Sequence, residues 1–304
     1  MTILVVGDAN ADLSATLGRF PAEGHDSSIE SLGWGSGGAA VNVAAALALL
    51  GAPTRLLARV GRDPAATVAL RAAQSGGVDL SDVQVDERLA TGLCFAAISP
   101  GGERTFFSFR GANVAMGLPE GRDALAGVRW LHICGHALLE GAQRETGLSL
   151  IDAAYQRGLP VSLDLCLPLI SARRAEVLDL LPSIATLFVN ELEYAALLGG
   201  ALPPEGVLLV VKLGARGCAL GRELRPVPGY AVRALDTTAC GDAFAAGFVH
   251  AHLRGATPPA CAALGNALGA LVATRPGAAD SLPGREELLA FLTERAPELS
   301  RLVG

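Results

Sequence analysis

The chain has 304 residues, of which 51% are hydrophobic, 18% charged and only 5% aromatic. This is enough apolar material for a large core in one or two domains; it excludes a disordered chain and fits an α/β protein whose parallel strands are apolar on both faces. The 24 basic and 30 acidic residues leave a net charge of −6, with no basic run longer than Arg173–Arg174, which argues against a nucleic-acid surface.

At the N-terminus "ILVV" (3–6) is a short continuous apolar run ending in Gly-Asp and predicts a buried strand. It is too short for a signal peptide and lacks the basic start. The "GDANAD" that follows (7–12) falls where an open α/β sheet places its ligands, at a strand C-terminus. There Asp12 can accept two hydroxyls and Asn10 can donate and accept, although the same cluster also reads as an Asx turn. From 12 to 35 the texture turns polar, with Pro21 and Gly24, and "SSIESLGW" predicts a solvated strand. Residues 39–50 predict an Ala/Leu-rich helix stopped by Gly51 and Pro53. "RLLARVG" and "AATVALRAAQSG" continue as strand and helix.

Residues 91–110 break this rhythm. "TGLCFAAIS", the turn "PGGE" and "RTFFSFR" predict a β-hairpin, and with residues 13–35 they predict a small sheet set apart from the main body. Strands then recur at 130–135, 160–165, 186–190 and 206–214, with helices between them, and the last third is helical at 241–253 and 258–273. No apolar run approaches the ~18 residues of a membrane span. The six cysteines are scattered without a C-x-x-C pair, which argues against a zinc site or a disulfide framework and for a reducing cytoplasm. His250 and His252 are two apart on a helix and point in different directions, and His132 and His136 straddle a strand end, so neither pair is read as a metal site.

Gly33, Gly35 and Gly38 satisfy G-x-G-x-x-G. A dinucleotide loop must leave the first buried strand, enter its helix and be followed ~20 positions later by an acidic residue. Here the buried strand ends near Gly7, the strand before the glycines is the solvated one, and no Asp or Glu occurs between Ala39 and Arg62. A nicotinamide enzyme is therefore set aside.

The most informative stretch is "DTTACGDAFAAGFVHA" (236–251), in which Gly241-Asp242 opens an apolar helix. The amides of Ala239, Cys240 and Gly241 are expected unpaired at its N-terminus, facing any anion placed there, with the Asp242 carboxylate beside them. Such a pair of features suits phosphoryl transfer: the carboxylate takes a proton from an attacking hydroxyl while the amides stabilise the transferring group. The plainer alternative is an N-cap aspartate among small packing residues.

At this segment the chain resembles the ribokinase-like, or PfkB, carbohydrate kinases, over essentially its whole length. The resemblance implies a single α/β domain, 1–304, with a doubly wound, mostly parallel sheet and a small β lid from about 13–35 and 88–112. It implies Asp242 as catalytic base and Ala239, Cys240 and Gly241 as the anion hole, although Ala239 and Cys240 replace the family's Gly and Ala. If position 239 needs positive φ, Ala there costs up to ~1 kcal/mol. A helix N-terminus would also make Cys240 a somewhat acidic thiol, although a space-filling role is favoured. "GGAAVN" matches the family's first signature, which assigns Gly37, Gly38 and Asn42, together with Asn10 and Asp12, to the acceptor. "NELE" implies Asn190 and Glu193 around Mg²⁺ and its waters at the ATP phosphates, a role that suits a metal preferring few carboxylates.

"KLGARG" implies nucleotide contacts at Lys212, Gly214 and Gly217, and Asn266 matches a residue near the adenine. Lys212 is the only lysine, and it stands outside any Walker motif. "TRPGAADSLP" resembles a loop that surrounds a monovalent cation such as K+, which implies Asp236, Thr238, Val272, Arg275, Gly277 and Ser281 as its ligands. His136 is a further candidate at a strand end that contacts sugar in relatives. The expected activity is ATP-dependent phosphorylation of a small sugar, with a nucleoside kinase or a non-catalytic ligand-binding homologue as alternatives. Phe95, Phe106, Phe107 and Phe109 exceed what one thin lid sheet can bury, so a homodimer through the lid is expected.

Overall fold

A computed structural model describes residues 2–101 and 103–304. In chain order it contains β1 (Thr2–Val6), β2 (Asn10–Leu17), β3 (Ile29–Gly37), α1 (Ala39–Leu49), β4 (Thr54–Leu57), β5 (Arg59–Gly61), α2 (Pro64–Ser75) and β6 (Gln84–Asp86). The hairpin β7 (Gly92–Ile98) and β8 (Arg104–Phe109) follows, then β9 (Val128–Cys134), α3 (Gly141–Gln156), β10 (Val161–Asp164) and α4 (Leu167–Leu180). The remainder is β11 (Thr186–Asn190), α5 (Glu191–Leu198), β12 (Leu208–Lys212), β13 (Gly217–Leu220), β14 (Arg225–Pro228), α6 (Cys240–Leu253), α7 (Pro258–Ala273) and α8 (Arg285–Arg295).

The main sheet has eight strands in the order β14-β13-β12-β11-β10-β9-β1-β4. It is parallel from β4 to β12, and the β13–β14 edge is antiparallel. Alternate residues of β1 enter different cores. Ile3 and Val5 pack with Phe188, Phe248 and Leu268 under α1, α6 and α7, whereas Leu4 and Val6 pack with Leu150, Leu163 and Val177 under α3 and α4. Burial on both faces explains why the strands read as unbroken apolar runs. The chain turns from β1 toward β4 on one side and toward β9 on the other, so the cleft beyond the C-terminal ends of β1 and β9 is where ligands bind in such sheets.

The lid is a second sheet of four strands in the order β3-β2-β7-β8. Two local readings are settled differently by the structure, and one hairpin was not read at all. Asn10 and Asp12 lie on lid strand β2 instead of in a turn, because β1 ends early and the chain runs straight into the lid. "RLLARVG" splits at Ala58 into β4, which joins the main sheet, and β5, which pairs with β6. The β13–β14 hairpin was not foreseen, since its outer strand, Arg-Pro-Val-Pro, carries the prolines that only an edge strand tolerates.

Candidate active site

Glycines shape the acceptor side. A Cβ added at Gly37 would lie 2.1 Å from Asp12 Cγ, so the Asp12 carboxylate rests directly on that backbone. Gly38 has φ +86°, and its Cβ would lie 2.3 Å from the Asp8 carbonyl oxygen, so both space and conformation demand glycine. The chain then enters α1, where Asn42 Nδ2 donates to Asp242 Oδ2 at 2.7 Å. Asn42 Oδ1 is buried with no partner among the described residues, an acceptor left over for a ligand hydroxyl. Asn10 Oδ1 accepts from Asn113 Nδ2 at 2.8 Å, and Asn113 Oδ1 accepts from the Ala9 amide at 3.0 Å. Fully buried Asn113 thus positions Asn10, a role that sequence reading missed.

Ala239 adopts the left-handed conformation, φ 59°, immediately before α6. The amides of Ala239 and Gly241 have no hydrogen-bond partner among the described residues, whereas that of Cys240 donates to the Thr237 carbonyl at 3.3 Å. Two of the three amides expected to form an anion hole are therefore free, and the third is engaged. Because β-carbon crowding penalises alanine in this conformation, Ala239→Gly is expected to raise Tm by ~1–2 °C. That corresponds to about 0.5 kcal/mol net, after the extra chain entropy glycine loses on folding. A lower Tm in scanning calorimetry would contradict it.

Asp242, on the first turn of α6, is pushed up to about 7 by burial and then by the charge of Asp164, against the pull of Asn42 and Lys212. Asp12 is likewise raised to about 7, by burial and by the charges of Asp242 and Asp280. Lys212 Nζ donates to Asp164 Oδ1 at 2.6 Å and Oδ2 at 2.9 Å. A Cβ on Gly241 would lie 3.2 Å from that ammonium, which therefore sits beneath the opening of α6. Burial would lower Lys212, but Asp164, Glu193 and Asp242 hold it above its ordinary value. Asp164 was missed, although a carboxylate ending a buried strand at the sheet's ligand edge is a signal the sequence carries.

Asn190 and Glu193 form a reciprocal cap on α5: the Asn190 amide donates to Glu193 Oε2 at 2.7 Å and the Glu193 amide to Asn190 Oδ1 at 2.9 Å. No group of three or more His, Cys, Asp or Glu side chains is arranged to hold a metal directly among the described residues. Asn190 and Glu193 would fit a Mg²⁺ that keeps most of its waters, because such a metal needs few direct carboxylates.

The remaining expected nucleotide residues lie along the β13–β14 edge. Gly214 (φ +60°) opens the turn after β12, and Gly217 (φ +93°) has no room for a Cβ, which would lie 2.2 Å from the Val227 carbonyl oxygen. Asn266 Nδ2 donates to the carbonyls of Val227 and Pro228 at 3.2 and 3.1 Å, so it ties β14 to α7.

Asp236 opens the segment that leads to the hole. Its Oδ1 accepts from the Thr238 amide at 2.8 Å and from the guanidinium of Arg104, and its Oδ2 accepts from the Gly277 amide at 2.8 Å. The Val272 carbonyl accepts from the Arg275 amide at 3.2 Å, and the Ser281 hydroxyl donates to the Pro276 carbonyl. Of the residues expected around a monovalent cation, Thr238 and Gly277 are thus joined to Asp236, whose carboxylate also meets a guanidinium. Nearby Asp280, also missed, accepts from the Ser36 amide at 2.6 Å and from Arg71 at 2.7 Å, fastening β3 and α2 to the same loop.

Cys240 corrects the acidic-thiol expectation. Burial, with the charges of Asp236 and Asp242, pushes it up to about 12, the opposite of an acidic thiol. His136 is partly buried where burial lowers it, while Asp8 opposes that shift; its carbonyl accepts from Arg110 at 3.0 Å. His250 bonds the Leu302 carbonyl and His252 packs edge-on against Trp130, in different directions as expected.

Strand register sorts the lid into two faces. Asp12 lies beside Gly35, Cys94 and Ser108; Ser14 beside Gly33, Ala96 and Phe106; and Thr16 beside Ser31, Ile98 and Arg104. This face carries Asp12 toward Asp242. The opposite face carries Leu13, Trp34, Phe95 and Phe107, so Phe106 is separated from its neighbour Phe107 and belongs to the cleft.

A carboxylate beside free helix-start amides, at the ligand edge of a doubly wound sheet and under a polar lid, defines a phosphotransferase with an alcohol acceptor. Residues 2–285 match the pfkB family carbohydrate kinases, and the chain belongs to that family. It is 33% identical to an ATP-dependent ribose-1-phosphate kinase of Halopiger xanaduensis, over 96% of this chain and 98% of that one. It is 28% identical to a ribokinase of Haemophilus influenzae over 96% and 98%. Among solved structures, the Arabidopsis thaliana ribokinase complexed with ribose and ATP is 27% identical, with a TM-score of 0.80 and coverage of 95% and 98%. The chain is a sugar kinase. No helix is long and apolar enough to cross a membrane among the described residues.

Proposed function

We propose that the enzyme transfers the γ-phosphoryl group of ATP to a hydroxyl of a ribose-type or fructose-type sugar, with Asp242 as the base. The observation that carries this reading is the convergence of Asp242 with Asn42 and Asp12 at the mouth of the α6 amides. Asp12, Asn10 and the unpartnered Asn42 Oδ1 hold the acceptor's hydroxyls, while the lid excludes water. Asp242 takes the proton of the attacking hydroxyl. The amides of Ala239 and Gly241, with Lys212 beneath them, stabilise the charge that develops on the transferring group. Mg²⁺, when bound, neutralises phosphate charge; Glu193 and Asn190 are the residues to hold its waters. Gly214, Gly217 and the strand fixed by Asn266 border the nucleotide.

A sugar already bearing phosphate is a second reading, favoured by Arg110. Its guanidinium lies at the cleft end of β1, 3.2 Å from Asp8, and its buried Nε makes no hydrogen bond among the described residues, with Glu140 Oε1 3.7 Å away. Coupled ADP release over ribose, fructose, ribose 1-phosphate and nucleosides tests both. A free pentose or hexose as best acceptor supports the first reading, ribose 1-phosphate supports the second, and a nucleoside, stacked on cleft-facing Phe106, contradicts both.

The base must be ionised to act. Since Asp242 is raised to about 7, kcat/KM is expected to fall about tenfold per pH unit below an acid limb near 7. A limb at pH 4–5, the ordinary carboxylate range, would contradict this.

The lid face turned from the cleft exposes Leu32, Trp34, Phe107 and Phe109, each about half exposed. We propose that two lids pair through it to form a homodimer. Light scattering that shows a monomer at micromolar concentration would contradict it.

A further inference from the structure

We propose that Arg104 of the lid is this enzyme's built-in monovalent cation, standing at Asp236 where K+ would otherwise bind, so that the kinase works without K+. The inference rests on reading residues 239–241 as the phosphate site. Asp236 is buried, and both of its oxygens are accounted for: Oδ1 by Arg104 and the Thr238 amide, Oδ2 by the Gly277 amide. Arg104 Nη1 also donates to Thr238 Oγ1 at 2.9 Å, so a single guanidinium bridges the first and third residues of the segment that leads into the hole. One buried carboxylate needs one positive charge, and arginine supplies it permanently. A K+ ion at the same carboxylate would meet a like charge, and Oδ1, which already accepts from Arg104 and the Thr238 amide, has no lone pair left for it. The Val272 carbonyl, another expected ligand, is engaged by the Arg275 amide.

The source of the charge gives the substitution a consequence. Arg104 lies on β8, on the lid face that also carries Asp12, Cys94, Ser108 and Phe106. A free ion would be present whether or not an acceptor were bound. The Arg104 guanidinium instead belongs to the lid, so its contacts with Asp236 and Thr238 tie β8 to the loop that precedes α6.

The test compares wild type and Arg104→Ala with potassium or tetramethylammonium as the sole monovalent cation, by initial rate and by thermal melting with ADP. Wild type is expected to show the same rate within about twofold in both salts and no potassium-specific rise in Tm. Arg104→Ala is expected to be about tenfold slower or more in tetramethylammonium. Potassium, or added guanidinium, should recover part of that loss, with a potassium-specific rise in Tm. Several-fold stimulation of wild type by potassium overturns the proposal. So does an Arg104→Ala protein whose rate and melting match wild type in tetramethylammonium. Arg104→Lys, which keeps the charge, is expected to remain potassium-independent; if it melts normally yet requires potassium, the proposal also fails. Should no sugar be phosphorylated in either salt, the kinase reading fails instead, and melting still decides the role of Arg104.

Discussion

Asp242→Asn is expected to lower kcat by about 10²–10⁴-fold, the usual contribution of a general base, while ADP binding measured by calorimetry is retained. The variant keeps the shape of the side chain, and its amide oxygen still accepts from Asn42 Nδ2, so the α6 opening and its amides stay in place. Stability moves the other way. The folded carboxyl is raised from 3.8 to about 7, so the native state holds a proton that the unfolded chain releases. Stability that is present below about pH 4 is therefore lost as the pH rises toward and through 7. The asparagine variant lacks this loss and should melt at or above the wild-type temperature at neutral pH. Retention of more than a few per cent of kcat would remove Asp242 from its role.

Lys212→Met is expected to be the most destabilising single change in the site. It leaves Asp164 buried without the cation that now holds both of its oxygens. Burial alone pushes Asp164 up, and Lys212 is the first group opposing that shift. Removing one member of such a pair costs about 3–5 kcal/mol, or a fall in Tm of ~10 °C for a chain this long. The double variant with Asp164→Asn should recover a substantial part of the loss, since no unpaired charge remains. A Tm within about 1 °C of wild type for Lys212→Met would contradict the account. Lys212 also opposes the upward shift of Asp242, so any residual activity should show its acid limb at higher pH.

Much of this architecture is readable from local pattern. The buried strands from β9 to β12 are short apolar runs, α7 spans 258–273 as its periodicity predicts, and the Gly37–Gly38 pair marks a close approach of backbone to a carboxylate. Asp242 and the small residues before it stand out because a helix opening is a local feature with its own chemistry. Partnerships are less readable. Arg104 meets Asp236 across 132 positions, and Asn113 meets Asn10 across 103, with nothing in either neighbourhood to announce the other. Lys212, placed by motif among nucleotide contacts, turns its ammonium to Asp164 because the ends of β10 and β12 converge on the opening of α6. The cleft and outer faces of the lid separate only once register is fixed, since a shift of one residue would exchange Phe106 with Phe107.

The most direct test is a crystal structure with ADP, aluminium fluoride, Mg²⁺ and the best acceptor found in the sugar panel. The fluoride group is expected on the amides of Ala239 and Gly241, and the acceptor hydroxyl in line with it, hydrogen-bonded to Asp242. A fluoride group held elsewhere, or an acceptor whose hydroxyls reach Asp12 but leave Asp242 without a proton to take, would contradict it.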